Sequence, residues 1–324
     1  MNKKIRLSII FSILFISAHA QDLIKSGPMV GYSTMQEVLL WVQTDEKAKV
    51  HFEYYEIDNP KIRFKTEEIE TIKKNGYVAK LIADQVAPGK KYKYEIFIND
   101  LKVERDYVME FQSQKLWKWR TDPPDVSFVI GSCSYVNEPQ FDRPGKPYGN
   151  NFEIFNSIHN KNPDFMLWLG DNTYLREPDW NSRTGFINRY SHTRALAELQ
   201  PLLASTHHYA TWDDHDFGPN NSDGSFWLKE TASEIFKLFW GNPNYDVTGK
   251  GGITGFFQWG DLDFFLMDNR YHRTSNNNFT EDRQLLGKDQ IDWLINALSF
   301  SQAPFKFIAI GGQVLSSGAV YENY

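Results

Sequence analysis

Five apolar runs, each broken off by a polar residue able to bind charge, most constrain the fold of this chain. They are "VSFVIGSC" (126–133), "DFMLWLGD" (164–171), "HYATWDDH" (208–215), "LDFFLMDNR" (262–270) and "FKFIAIGGQ" (305–313). A strand without polar alternation is covered on both faces. Helix-like stretches lie between several of them: "NFEIFNSIHNK" (151–161), "GSFWLKETASEIFKLFW" (224–240) and "TEDRQLLGKDQIDWLINALSF" (280–300). Residues 126–324 are therefore predicted to form a layered α/β domain with some antiparallel pairings. Where its strands run parallel, their carboxyl ends share one rim. That rim would bring together Cys133, Asp171, Asp214 with His215, and Asp268 with Arg270.

The preceding region is patterned differently. "VLLWVQT" (38–44), "KVHFEYYEI" (49–57), "GYVAKLIAD" (76–84), "KKYKYEIFIND" (90–100) and "DYVMEFQS" (106–113) read as strands with a period of two. In the fourth, Tyr92, Tyr94, Ile96 and Ile98 share one face, while Lys91, Lys93 and Glu95 share the other. The expectation is an all-β sandwich over residues 21–117, similar to immunoglobulin or fibronectin type III domains. It holds no catalytic constellation, and its aromatic residues are expected in its core. The paired prolines of "WRTDPPD" place a linker at 118–125.

Residues 1–20, "MNKKIRLSIIFSILFISAHA", have basic residues, a short apolar run and a small-residue ending, the layout of a signal peptide. The expected location is periplasmic or secreted, with no membrane insertion once the leader is removed. The chain carries 35 basic and 41 acidic residues. Losing Lys3, Lys4 and Arg6 makes the remainder more acidic, which argues against a standing nucleic-acid partner. The single cysteine, Cys133, can form no internal disulfide. A small buried hydrophobe is its bland explanation, but acids at the matching ends of neighbouring strands point to a metal centre.

The stretch "TWDDHDFGPNNSDG" (211–224) crowds Asp213, Asp214 and Asp216 around His215. Adjacent carboxylates repel one another unless a cation sits among them. Asp214 is the candidate metal ligand, with Asp213 orienting its neighbours, while Asp216 and Asp223 are expected as solvated turn residues. An EF-hand is excluded by spacing, because Ser225 stands where the bidentate Glu would be needed. Arg270 is the candidate phosphate clamp, a guanidinium meeting phosphate oxygens through two donors. Pairing with Asp268 is the competing role. His51, His159, His192, His207 and His208 are read as ordinary structural residues, and the pocket-shaping loops are placed within 134–150 and 175–200.

The ordered set "GSC" (131–133), "GDNTY" (170–174), "WDDHD" (212–216), "MDNR" (267–270) and "LLGKDQIDWL" followed by "KFIAIGGQ" resembles the alkaline phosphatase D family, the PhoD-like metallophosphatases. The resemblance implies an α/β metallophosphoesterase-like layered sandwich preceded by the β-sandwich. It also implies a centre of ferric iron, Fe(3+), with calcium, Ca(2+), nearby, hydrolysing small or polymeric phosphate esters with metal-activated hydroxide. On this basis Cys133 and Tyr174 are iron ligands, Asp171 bridges metals, Asp214 is a ligand, and His215 faces the substrate phosphate. Thiolate and phenolate suit ferric iron, and carboxylates suit calcium. A later Gly-Asp-x-His segment of the family does not occur in the 324 residues. The expectation is therefore that the phosphatase domain is incomplete at its C-terminus, and that these residues alone can be inactive. Two other classes remain open from the residues themselves: a glycan hydrolase using paired carboxylates, and a non-catalytic, calcium-stabilised binding protein.

Overall fold

A computed structural model of the chain describes residues 23–278 and 282–314. The expected signal peptide at 1–20 and the chain end beyond 314 lie outside the described residues.

The N-terminal region forms strands β1 (Ile24–Ser33), β2 (Val38–Thr44), β3 (Lys49–Glu56), β4 (Phe64–Lys65), β5 (Ile69–Glu70), β6 (Val78–Ala83), β7 (Lys91–Ile98), β8 (Leu101–Val103) and β9 (Glu110–Gln112). One layer is β1-β2-β6; the other is β4-β3-β7-β8, with β5 on β3 and β9 on β7. Val38, Leu40 and Val42 from the first layer meet Phe52, Tyr94 and Ile96 from the second in one buried cluster. The alternation of β7 thus fills a sandwich core, as its pattern predicts.

The second region contributes β10 (Phe128–Gly131), β11 (Phe165–Leu169), β12 (His207–Thr211), β13 (Gly255–Trp259), β14 (Leu262–Leu266) and β15 (Phe305–Ala309). Its helices are α1 (Glu153–His159), α2 (Arg183–Arg194), α3 (Gln200–Ser205), the single turn α4 (Asp214–Phe217), α5 (Lys229–Phe239) and α6 (Lys288–Phe300). The five apolar runs become β10, β11, β12, β14 and β15, but divided between two sheets. β10, β11 and β12 are adjacent and parallel, whereas β14 pairs antiparallel with β13 and parallel with β15. Phe165, Leu167 and Tyr209 on one sheet pack against Phe257, Phe264 and Leu266 on the other. Outside the first sheet, α5 buries Ala232, Ile235, Phe236 and Phe239, the spacing of one helical face.

The two regions are not joined only through a linker. β1 pairs with β12 in parallel, Val30 opposite His207, so one six-stranded sheet runs β10-β11-β12-β1-β2-β6. β2 is buried along its whole length. Val38, Leu40 and Val42 face the sandwich core, while Trp41 enters the cluster formed with α2, α3 and α5. Further ties are the Trp41 indole donating to Leu238 O at 3.0 Å and the Tyr94 hydroxyl to Ala204 O at 2.8 Å. Among the described residues, no helix is long and apolar enough to cross a membrane.

A shared sheet predicts cooperative unfolding. Trp41→Ala is expected to cost about 3–5 kcal/mol and to lower a single transition seen alike by calorimetry and near-ultraviolet circular dichroism. Two separate transitions, only one of them moved, would show the regions to be thermodynamically independent.

Candidate metal centre

Register builds the rim. Gly131 lies opposite Trp168 and Leu169 opposite Thr211, so β10, β11 and β12 release their chains at nearly one level. The ladder continues one step into the loops, where Cys133 N–H donates to Gly170 O at 3.1 Å and Ser134 N–H to Asp171 O at 2.9 Å. Cys133 and Asp171 both adopt left-handed backbone, with φ of 59° and 51°. A non-glycine residue there stores strain, which surrounding contacts must hold. Gly170 has its own steric reason: a Cβ at that position would lie 2.8 Å from Asp213 Cβ and 2.9 Å from Asp213 N.

Donor groups converge at this rim. Ligand atoms of Asp171, Asp214 and His215 all lie within 4.8 Å of one another. Cys133 Sγ is 3.9 Å from Asp171 Oδ2, and Cys133 is exposed to solvent. The Tyr174 ring packs 4.4 Å from the His215 ring. Burial first, then the charge of Asp171 and the neighbouring Cys133, pushes the Tyr174 phenol up. Burial, reinforced by Asp214 and Asp213, pushes the Asp171 carboxyl up to about 7, although the His215 N–H donates to it at 3.3 Å. Burial lowers His215, favouring its neutral imidazole. Asp214 is buried and accepts from Asn221 N–H.

Two of the crowded acids are already compensated. Asp213 caps α4 and accepts from Arg270 Nε at 2.6 Å and Asn269 Nδ2 at 2.7 Å, with Arg270 Nη2 at 2.6 Å. Asp216, expected as a solvated turn residue, is completely buried. It accepts N–H groups from Thr173 at 2.9 Å, Asp213 at 3.0 Å and Asn172 at 3.2 Å. The correction follows from local geometry, since Asp216 sits at the N3 position of the α4 capping box, where a carboxylate reaches back to the cap N–H. Asp223 is indeed a turn residue, accepting from Ser225 N–H at 2.9 Å.

Arg270, the candidate phosphate clamp, lies within the cluster of carboxylates. Arg270 is 1% exposed, held by Asp213, with Nη1 donating to Ser222 O at 3.2 Å and Nη2 3.9 Å from Asp214 Oδ1. Its guanidinium is therefore buried and paired with carboxylates of the site. The competing partner, Asp268, binds backbone instead, accepting the N–H groups of Arg270 and Tyr271 at 2.9 Å and the Trp212 indole at 2.8 Å. His207 and His208 are core residues, which burial pushes down to about 4 and about 3. Within the span 175–200, expected to contain pocket-shaping loops, Arg183–Arg194 is helix α2, while residues 175–182 are irregular, as is most of 134–150 beside the rim.

Several site residues carry no signal that the spacing arguments used. Asn269 and Asn172 are buried, and their Oδ1 atoms accept no hydrogen bond among the described residues. Arg176 is buried against Asp142 and donates to Val136 O at 2.7 Å and to Tyr174 O. The adjacency of Asn172 to Asp171 and of Asn269 to Asp268 was the available hint.

Residues 241–320 match the PhoD-like phosphatase family. Residues 21–116 match a family described as a domain of unknown function, DUF7800. The solved structure of PhoD superposes with a TM-score of 0.71 at 18% identity, over 89% of this chain and 62% of PhoD. A purple acid phosphatase, PPD1 from yellow lupin (Lupinus luteus) seeds, superposes with a TM-score of 0.57 at 12% identity, over 87% of this chain and 50% of its own. The chain therefore spans under two thirds of the PhoD chain. No curated protein matches it. These likenesses establish a metallophosphatase-like fold, and Cys133, Asp171, Tyr174, Asp214 and His215 precede the segment matched by the phosphatase family.

The burial of Asp216 yields a direct test. Asp216→Ala leaves three backbone donors unpaired and is expected to cost at least about 3 kcal/mol in urea unfolding. Asp223→Ala, in a turn, is expected to change stability by no more than about 0.5 kcal/mol. Equal effects would mean that Asp216 is not the anchor of this turn.

Proposed function

We infer that the intact protein is an exported, metal-dependent hydrolase of phosphate esters. The carrying observation is the convergence of Asp171, Asp214 and His215, with Cys133 Sγ beside Asp171, at the ends of three parallel strands. The match of residues 241–320 to the PhoD-like phosphatase family supports the reaction class.

The donor set fits iron with calcium. Cys133 and Tyr174 offer electron-rich sulfur and phenolate, Asp171 a carboxylate able to bridge, and Asp214 a second carboxylate. The unpartnered buried oxygens of Asn172 and Asn269 are hard donors in the same rim region, and repulsion among the acids is relieved by a cation. Such ions supply positive charge to phosphate oxygens and make hydroxide accessible near neutral pH.

The other roles belong to this chain. His215, neutral because of burial, presents ring N–H to a phosphate oxygen or steadies the leaving group. Arg270 neutralises Asp213 and thereby fixes the turn bearing Asp214 and His215. Arg176 holds the Tyr174 backbone in place. The leader at 1–20 directs export to the periplasm or beyond. Residues 21–117 form an immunoglobulin- or fibronectin-like module before the linker at 118–125 and the phosphatase domain. The substrate is a small or polymeric phosphate ester.

Full-length protein is expected to be coloured by phenolate-to-iron charge transfer, to contain iron and calcium, and to release nitrophenol from a nitrophenyl phosphate. Cys133→Ser is expected to lower iron content severalfold while leaving the far-ultraviolet spectrum unchanged. Colourless, iron-free protein that remains inactive after iron and calcium are supplied would overturn the reading.

A further inference from the structure

We propose that the site selects phosphate esters carrying a planar ring on a spacer, of the nucleoside monophosphate kind, and that Tyr148 is the residue on which the ring stacks. This deepens the phosphoesterase reading and rests on it.

Four aromatic rings form a continuous wall from the donor cluster to solvent. The His215 and Tyr174 centroids are 4.4 Å apart, Tyr174 and Tyr135 4.8 Å, and Tyr135 and Tyr148 5.3 Å. The first three are partly buried, whereas Tyr148 is 64% exposed. An exposed tyrosine alone is unremarkable on a protein surface, but this one ends a wall that begins among the donor groups.

The wall is also held in place. The Arg176 guanidinium stacks 4.2 Å from the Tyr135 centroid and pairs with Asp142, which accepts the Tyr135 hydroxyl at 2.9 Å. The Asn137 amide grips both backbone groups of Gly149, donating to its O at 2.7 Å and accepting its N–H at 3.1 Å. That clamp fixes the chain immediately after Tyr148. A Cβ at Gly149 would lie 2.4 Å from Tyr135 O, so the close approach of the two loop strands requires glycine. His192 of α2 meets Asn137 O at 3.2 Å, tying the loop to the helix layer.

Distance selects the ligand class. A ring bonded directly to the ester oxygen would lie against Tyr174 and Tyr135, and two ring steps separate Tyr174 from Tyr148. A ring reaching Tyr148 must hang from a spacer, as a nucleobase hangs from ribose. Stacking tolerates any base, because every base presents a π-face. Arg143 and Lys146 are exposed on the same loop and add positive charge for an anionic ligand.

The test compares adenosine 5′-phosphonate with ribose 5-phosphonate, in which carbon replaces the ester oxygen so that binding is read without turnover. Titration calorimetry on the metal-loaded, full-length protein is expected to show the adenosine compound binding about ten-fold tighter. Tyr148→Ala should abolish that preference and Tyr148→Phe preserve it, with ribose phosphonate binding unchanged in both. Equal affinities in the wild type, or a preference surviving Tyr148→Ala, would overturn the proposal even if nitrophenyl phosphate is hydrolysed. A Tyr148-dependent preference in protein that hydrolyses no ester would support the stacking site and remove the hydrolase reading.

Discussion

The local structure of the rim depends on how repulsion among four neighbouring carboxylates is met. Asp171, Asp213, Asp214 and Asp216 gather at the ends of two adjacent strands, partly or wholly withdrawn from water, where unscreened like charges are costly. The fold compensates them unequally. Asp213 receives the Arg270 guanidinium and an Asn269 amide, while Asp216 receives three backbone N–H groups. Asp171 receives a long N–H contact from His215, a Cys133 Sγ contact at 3.9 Å and a hydrogen bond from the Tyr174 side chain, yet burial still pushes its carboxyl up to about 7. The acids with strong partners form the frame, and Asp171 and Asp214 stand within it beside the imidazole.

This arrangement requires strands that end together. In-register pairing of β10, β11 and β12 brings three loops out side by side, and left-handed turns at Cys133 and Asp171 direct both residues along the rim. The second sheet closes the frame from below, with Thr211 Oγ1 donating to Met267 O at 2.8 Å and the Trp212 indole to Asp268. Rigidity extends further, because β1 and β2 of the N-terminal region continue the same sheet. A site on such a platform gains positioning from two cores rather than one.

Apolar runs revealed their strands because burial on both faces leaves no room for alternation. "VLLWVQT" reads as a strand with a period of two, whereas β2 is buried along its whole length because its other face packs on the helices of the second region. β1, "IKSGPMVGYS", was hidden by its glycines and proline, and its pairing with β2 contains register shifts. Helix α2 was hidden for another reason. Its buried face includes Arg189 and Arg194, paired with Asp179 Oδ2 at 2.7 Å and Phe239 O at 3.1 Å, so it shows no apolar stripe. Asp216 was misplaced because charged residues are usually exposed, and only its partners' positions reveal the exception.

From sequence alone came the two patterning regimes, the strand ends bearing Cys133, Asp171, Asp214 and His215, and the resemblance to metallophosphatases. These are legible because hydrophobic period and residue chemistry are local properties of the chain. Tertiary structure alone decided that the five runs divide between two sheets, that the N-terminal strands join one of them, and which acids are neutralised by Arg270 and backbone donors. Those outcomes depend on contacts between residues far apart in the chain, where register and packing, rather than local pattern, set the energy.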